Sequence, residues 1–174
     1  DPVGLITFDE KVHAALPARS RRGHLGDVMA QLSRLQPQGT TDLAASITQV
    51  AAMLKQHSLV MIFSDLLNDP QEVISALARL RYGGNDVIVF HVMDEAEVNF
   101  PYEGPVQFQD AESGETISVD ASGLRADYLQ QLDEFRETYR EGLSNLRIDY
   151  VPLDTSMPFD RALTEYLLQR QSCF

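Results

Sequence analysis

Two short stretches hold the residues best suited to chemistry. The first is Leu59-Val-Met-Ile-Phe-Ser-Asp65, where five consecutive apolar residues lead into Ser64 and Asp65. A run of that length is what a strand buried on both faces of a parallel sheet looks like. Asp65 then stands where the strand ends, and ligands of open α/β sheets gather at the carboxyl ends of strands. A carboxylate there can hold a cation or act as a catalytic acid. It can equally do no more than start the turn into the helix behind Pro70. The second stretch is Gln38-Gly-Thr-Thr-Asp42, with Leu43-Ala-Ala-Ser-Ile47 after it. A glycine, hydroxyls and an acid ahead of a helical pattern form, first of all, an N-cap signature.

Other reactive side chains argue for less. His91 lies inside the apolar run Asp86-Val-Ile-Val-Phe-His-Val-Met93, where a hydrogen-bonded core histidine is expected. No second histidine stands at ligand spacing from it, so a zinc site has no support. His57 reads as a surface histidine near a helix C-terminus. Cys173 is the single cysteine, which excludes an internal disulfide and suits a reducing compartment. A nucleophile so near a chain end is disfavoured. The formal net charge of −12 argues against a nucleic-acid partner, because phosphate would be repelled. Arg19, Arg21 and Arg22 form a basic cluster that reads as a solvated loop. Neither a signal peptide nor an apolar run approaching a membrane span is evident, so the expectation is a cytoplasmic chain without a membrane segment.

The elements that must position these groups follow from periodicity. At 174 residues and 44% apolar content, the chain reads as one domain with material for a core. Strands are expected near 3–8, 59–64, 86–93 and 148–153, all in one mostly parallel sheet. Pro152 suggests an edge position for the last of them. The alternation Val12, Ala14, Leu16 adds a hairpin partner to the first strand. Helices are expected at 23–35, 42–56, 70–82, 123–146 and 158–170, on both faces of the sheet. Asp69-Pro70 caps the third, and Leu25, Val28, Met29, Leu32 and Leu35 give the first an apolar stripe. Leu124, Tyr128, Leu132, Phe135, Tyr139, Leu143 and Leu146 run along the longest helix. Residues 100–119 read as an inserted β-hairpin that either presents a partner surface or lids the sheet edge. Alternating strands and helices give an α/β, doubly wound, Rossmann-type domain.

Several segments together carry a resemblance: Val3-Gly-Leu-Ile-Thr-Phe-Asp9, Thr41-Asp-Leu-Ala-Ala45, Phe63-Ser-Asp-Leu66, Asp86-Val-Ile-Val-Phe-His-Val92 and Ile148-Asp-Tyr-Val-Pro-Leu-Asp-Thr-Ser156. In order and spacing the chain resembles the bacterial "domain of unknown function 58" family, a von Willebrand factor A-like group. The resemblance implies a metal-ion-dependent adhesion site, in which a loop threonine and a strand-end aspartate join an Asp-Xaa-Ser-Xaa-Ser loop around one divalent cation. Thr41 and Asp65 match the first two, with Asp42 and Ser64 beside them as further binding residues. The serine-rich loop belongs on a strand upstream of Val3, so the expectation is an N-terminally truncated domain whose Mg²⁺ site is weak or absent. Asp154-Thr-Ser-Met-Pro158 resembles that loop only superficially and reads as helix capping.

The resemblance further implies a non-catalytic protein-binding module, working with a MoxR-type AAA+ ATPase and using the cation's open coordination position to take a partner's carboxylate. The rival reading is an enzyme, a Mg²⁺-dependent phosphoryl-transfer or receiver-like domain with Asp65 as nucleophile. Such a site normally adds a lysine at a later strand end, and the only lysines are Lys11 and Lys55. A purely structural scaffold is the third reading. If the strand expected between 3–8 and 59–64 is missing, those two must pair directly or borrow a strand from a second copy, giving a homo-oligomer through the exposed sheet edge.

Overall fold

Strand β4 (Asp86–Met93) is the centre of the molecule, and its sequence explains why. Val87 to His91 are all buried, as an unbroken β-branched and aromatic run requires when both faces of a strand are covered. The computed structural model describes residues 1–10, 12–36, 40–54, 57–110 and 114–158, with Asp160, Thr164, Tyr166 and Leu168. Strand β3 (Leu59–Ser64) lies parallel to β4 on one side and β7 (Asp149–Asp154) parallel to it on the other. Alternate side chains of β4 enter two cores. Val87 and Val89 join Ile62, Leu77, Leu80 and Leu143 on one face. Ile88 and Phe90 meet Tyr166 on the other. The chain is thus a mixed α/β protein built on a three-stranded parallel sheet.

The first face is covered by α2 (Leu43–Met53), α3 (Pro70–Tyr82) and α5 (Ala121–Asn145). Helix α3 begins as its sequence dictates, with Pro70 in its first turn and the Asp69 carboxylate accepting from the N–H groups of Gln71 and Glu72 at 2.8 and 3.3 Å. The expected long helix is present and lies on the domain rather than projecting as an isolated coiled coil. Phe135, Tyr139 and Leu143 pack it into the first core. Gly142 lets it approach α3 closely, since a Cβ there would come 2.5 Å from Ile74 Cδ1. Its first turns carry the hairpin of β5 (Pro105–Gln109) and β6 (Thr116–Asp120). Phe100 stacks on Tyr128 at 4.6 Å between centroids, and Phe108 lies against both Phe100 and Tyr102. The inserted hairpin is therefore braced on α5. A short helix, α4 (Glu95–Asn99), which periodicity does not show, precedes it behind an Asp94 capping box.

Three expectations require correction. The strand at 3–8 is formed, as β1 (Val3–Phe8), but it does not share a sheet with β3, β4 and β7. It pairs antiparallel with β2 (Val12–Arg19) in a separate two-stranded sheet. Phe8 still packs against the first core, beside α2, so β1 and β3 lean on the same helix without pairing directly. Second, β3 is not buried on both faces. Val60 and Ile62 face the core, whereas Leu59, Met61 and Phe63 are 51%, 51% and 55% exposed. These three share one face of β3, where Phe63 stacks on Phe90 at 4.6 Å between ring centroids. Third, α1 (His24–Leu32) buries only His24 and Val28, and Leu25, Met29, Leu32 and Leu35 of the expected stripe are exposed. Strand β7 is at the other sheet edge, where Pro152 costs no ladder bond. Of the helix expected at 158–170, Pro158 is not helical, Asp160, Thr164, Tyr166 and Leu168 are, and the rest lies outside the described residues, as do 55 and 56 of the helix expected at 42–56.

Candidate functional site

The carboxyl ends of β1 and β3 and the N-terminus of α2 converge. Strand β1 ends at Phe8, and the Asp9 carbonyl then accepts from the Asp42 N–H at 3.3 Å and from Ser46 Oγ at 3.0 Å. That pins the start of α2 to the end of β1. Asp42 caps α2, its carboxylate accepting from the Ala45 N–H at 2.8 Å. An aspartate at that position satisfies one of the orphan donors of the first turn. Beside it, Thr40 Oγ1 donates to Glu10 Oε1 at 2.5 Å. The Thr41 hydroxyl makes no hydrogen bond among the described residues, although its carbonyl does.

On the β3 side, Ser64 and Asp65 each close a small turn. Ser64 Oγ accepts from the Leu66 N–H at 3.1 Å, and Asp65 Oδ1 accepts from the Leu67 N–H at 3.3 Å. Asp65 is exposed, and its second carboxylate oxygen takes no hydrogen bond among the described residues. Leu66 adopts the left-handed conformation, with φ of 58°, and is completely buried. A leucine pays for that geometry only where its surroundings over-determine it. Here they do: Tyr139 Oη lies 3.1 Å from the Leu66 carbonyl and 3.5 Å from that of Asn68.

The two sides are joined by Asn68, whose Nδ2 donates to the Thr41 carbonyl at 3.0 Å. Of the four residues singled out from sequence, Thr41 and Asp65 thus lie on loops tied together at the head of the sheet. Asp42 and Ser64 flank them but spend oxygens on capping and turn formation. The residues that sequence reasoning missed are Asn68, Tyr139 and the acids Asp9 and Glu10. Asp9 and Glu10 form the polar exit of β1, a signal visible in the sequence, and in the structure their carboxylates meet His13 and Thr40. Nothing in the sequence pairs Asn68 with Thr41 or Tyr139 with Leu66.

Beneath the site lies a buried polar group. His91 is 1% exposed, with Nδ1 2.6 Å from Tyr150 Oη, and the ring also hydrogen-bonds the Asp65 backbone. Phe135, Tyr139 and Tyr150 surround it at 5.8–6.2 Å between ring centroids. Burial holds the His91 pKa below its ordinary value, against the Asp65 backbone bond and with help from the Arg136 charge. Burial likewise raises Tyr139 and Tyr150, so both hydroxyls stay protonated. The expected core histidine is what the fold contains.

Asp65 and Thr41 offer hard oxygens, the donor type that Mg²⁺ takes. The number is small: among the described residues no group of three His, Cys, Asp or Glu side chains could hold a metal ion. Two such oxygens are fewer than a Mg²⁺ ion takes, so a cation held there would keep most of its waters.

The family model described as "Protein of unknown function DUF58" matches residues 1–138. No curated protein matches the sequence. Among solved structures, a crystal structure of an aerotolerance-related membrane protein from Bacteroides fragilis NCTC 9343, carrying multiple mutations to serines, is similar, with a TM-score of 0.55 at 20% identity. The match covers 90% of this chain and 73% of that one. Among the described residues no helix of this chain is long and apolar enough to cross a membrane.

Proposed function

We propose, from the premise that this chain belongs to the DUF58 family, that it is a protein-binding module of von Willebrand A-like, doubly wound design. Its contact point is a Mg²⁺ half-site made by Thr41 and Asp65. The observation that carries the reading is the Asn68 Nδ2 bond to the Thr41 carbonyl, which ties the threonine loop to the aspartate loop at the strand ends. Asp65 would hold the cation directly or through water, and Thr41 would add its hydroxyl. The cation's remaining position would take a carboxylate of a partner, for which a MoxR-type AAA+ ATPase is the candidate the family resemblance brings. A second copy of the chain is the further partner, because β1 and β3 each leave one edge unpaired among the described residues.

The reading is non-catalytic, and one experiment separates it from its rival. Incubation with acetyl phosphate and Mg²⁺ labels a receiver-like aspartate as an acyl phosphate. The binding-module reading expects no label, and a label lost on Asp65→Asn would establish the phosphoryl-transfer alternative. The partner half is tested by immobilising the chain and passing the ATPase over it with Mg²⁺ or EDTA. Retention that EDTA and Asp65→Ala both abolish is expected. Retention indifferent to both would remove the metal from the mechanism.

A further inference from the structure

Each polar bond that fixes the two loops to one another and to the core ends on backbone. Tyr139 is fully buried on α5 and reaches the carbonyl of Leu66, the residue held at positive φ next to Asp65. Asn68 also donates its own N–H to the Leu66 carbonyl at 2.7 Å, while its side chain holds the Thr41 carbonyl at 3.0 Å. The links therefore run from α5 through the Leu66 and Asn68 backbone to the threonine loop. They consume neither the Thr41 hydroxyl nor the outer oxygen of Asp65. A carbonyl has two lone pairs, so Leu66 can accept from both Tyr139 and Asn68 without competition.

Resting on the half-site reading above, we infer that Tyr139 and Asn68 are its positioning residues: Tyr139 sets the aspartate loop against α5, and Asn68 carries that setting to Thr41. A ligand pair drawn from two separate loops has a useful separation only if something fixes one loop on the other, and outer partners of metal ligands matter for that reason. Helix α5 thereby becomes part of the site, although it places no ligand in it.

The test uses the whole chain and two near-isosteric variants, Tyr139→Phe and Asn68→Leu, each of which keeps shape and removes a donor without adding a charge. Leu143→Ala, a core change one turn further along α5 that leaves both donors in place, reports general loosening. Amide hydrogen exchange is followed in 40–46 and 64–70, and Mn²⁺ is titrated while broadening of the Thr41 and Asp65 amide signals is recorded. Asn68→Leu is expected to speed exchange in 40–46. Tyr139→Phe is expected to do so in both segments. Each should raise the Mn²⁺ concentration for half-broadening by about tenfold. Leu143→Ala should lower the melting temperature while leaving the Mn²⁺ concentration for half-broadening where it is. Exchange unchanged in both segments for Tyr139→Phe, or equal loosening in Leu143→Ala, would overturn the inference. If Mn²⁺ broadens neither signal in the wild type, the half-site reading fails, and exchange alone still decides whether Tyr139 and Asn68 hold the loops.

Discussion

At the scale of single residues, Asp65 and Asp69 show how two acids four positions apart acquire different work. Asp69 caps α3 through two backbone N–H groups, so Asp69→Ala should cost about 0.5–2 kcal/mol of stability. Urea unfolding would show this as a lower midpoint at unchanged slope. Asp65 carries only one long turn bond, so Asp65→Ala should leave the midpoint nearly in place while removing the cation. His91 supplies a pH dependence. Its folded pKa lies below the unfolded value near 6.5, so the unfolded chain binds the proton first, and stability is lost as pH falls below about 6.5. Tyr150, Tyr139, Asp65 and Arg136 face the ring, and Tyr150 and the Asp65 backbone are its hydrogen-bond partners. Melting curves in EDTA at pH 7.5 and 5.5 should show a smaller loss in His91→Gln than in the wild type. An equal loss would take the histidine out of the account.

At the scale of elements, legibility followed burial. Helix α3 was readable to its ends, Pro70 and Tyr82, because cap, proline and terminal glycines are local signals. Strand β4 was readable because both its faces are covered. The same logic misjudged β3 and α1, whose apolar patterns say that a face could be buried without saying that anything lies on it. Leu77→Ala in α3, completely buried, should therefore cost about 2–5 kcal/mol, whereas Leu25→Ala in α1, 71% exposed, should stay within about 0.5 kcal/mol. Matched denaturation curves would check the pair, and a large cost for Leu25→Ala would mean that α1 is covered in solution. The site was half legible for a related reason. Asp65 and Thr41 announce themselves by position at strand end and helix start. The Asn68 and Tyr139 bonds join residues 27 and 73 positions apart, and no local pattern encodes them.

At the scale of the whole molecule, the β1–β2 hairpin packs on α2, and Phe8 reaches the core that α2 shares with the parallel sheet, without a ladder between the two sheets. Open edges flanked by exposed Leu59, Met61 and Phe63 recruit strands, and light scattering on the chain should show a dimer or larger species. A stable monomer with a single sharp thermal transition would remove the strand-exchange reading. The account's central claim is the cation half-site, and its most direct test is a Mg²⁺ titration followed by amide chemical shifts on the wild type and Asp65→Ala. Two protein oxygens and a mostly hydrated ion predict shifts centred on Thr41 and Asp65, with a midpoint on the order of millimolar, absent in Asp65→Ala. Micromolar binding, or shifts that survive Asp65→Ala, would contradict it.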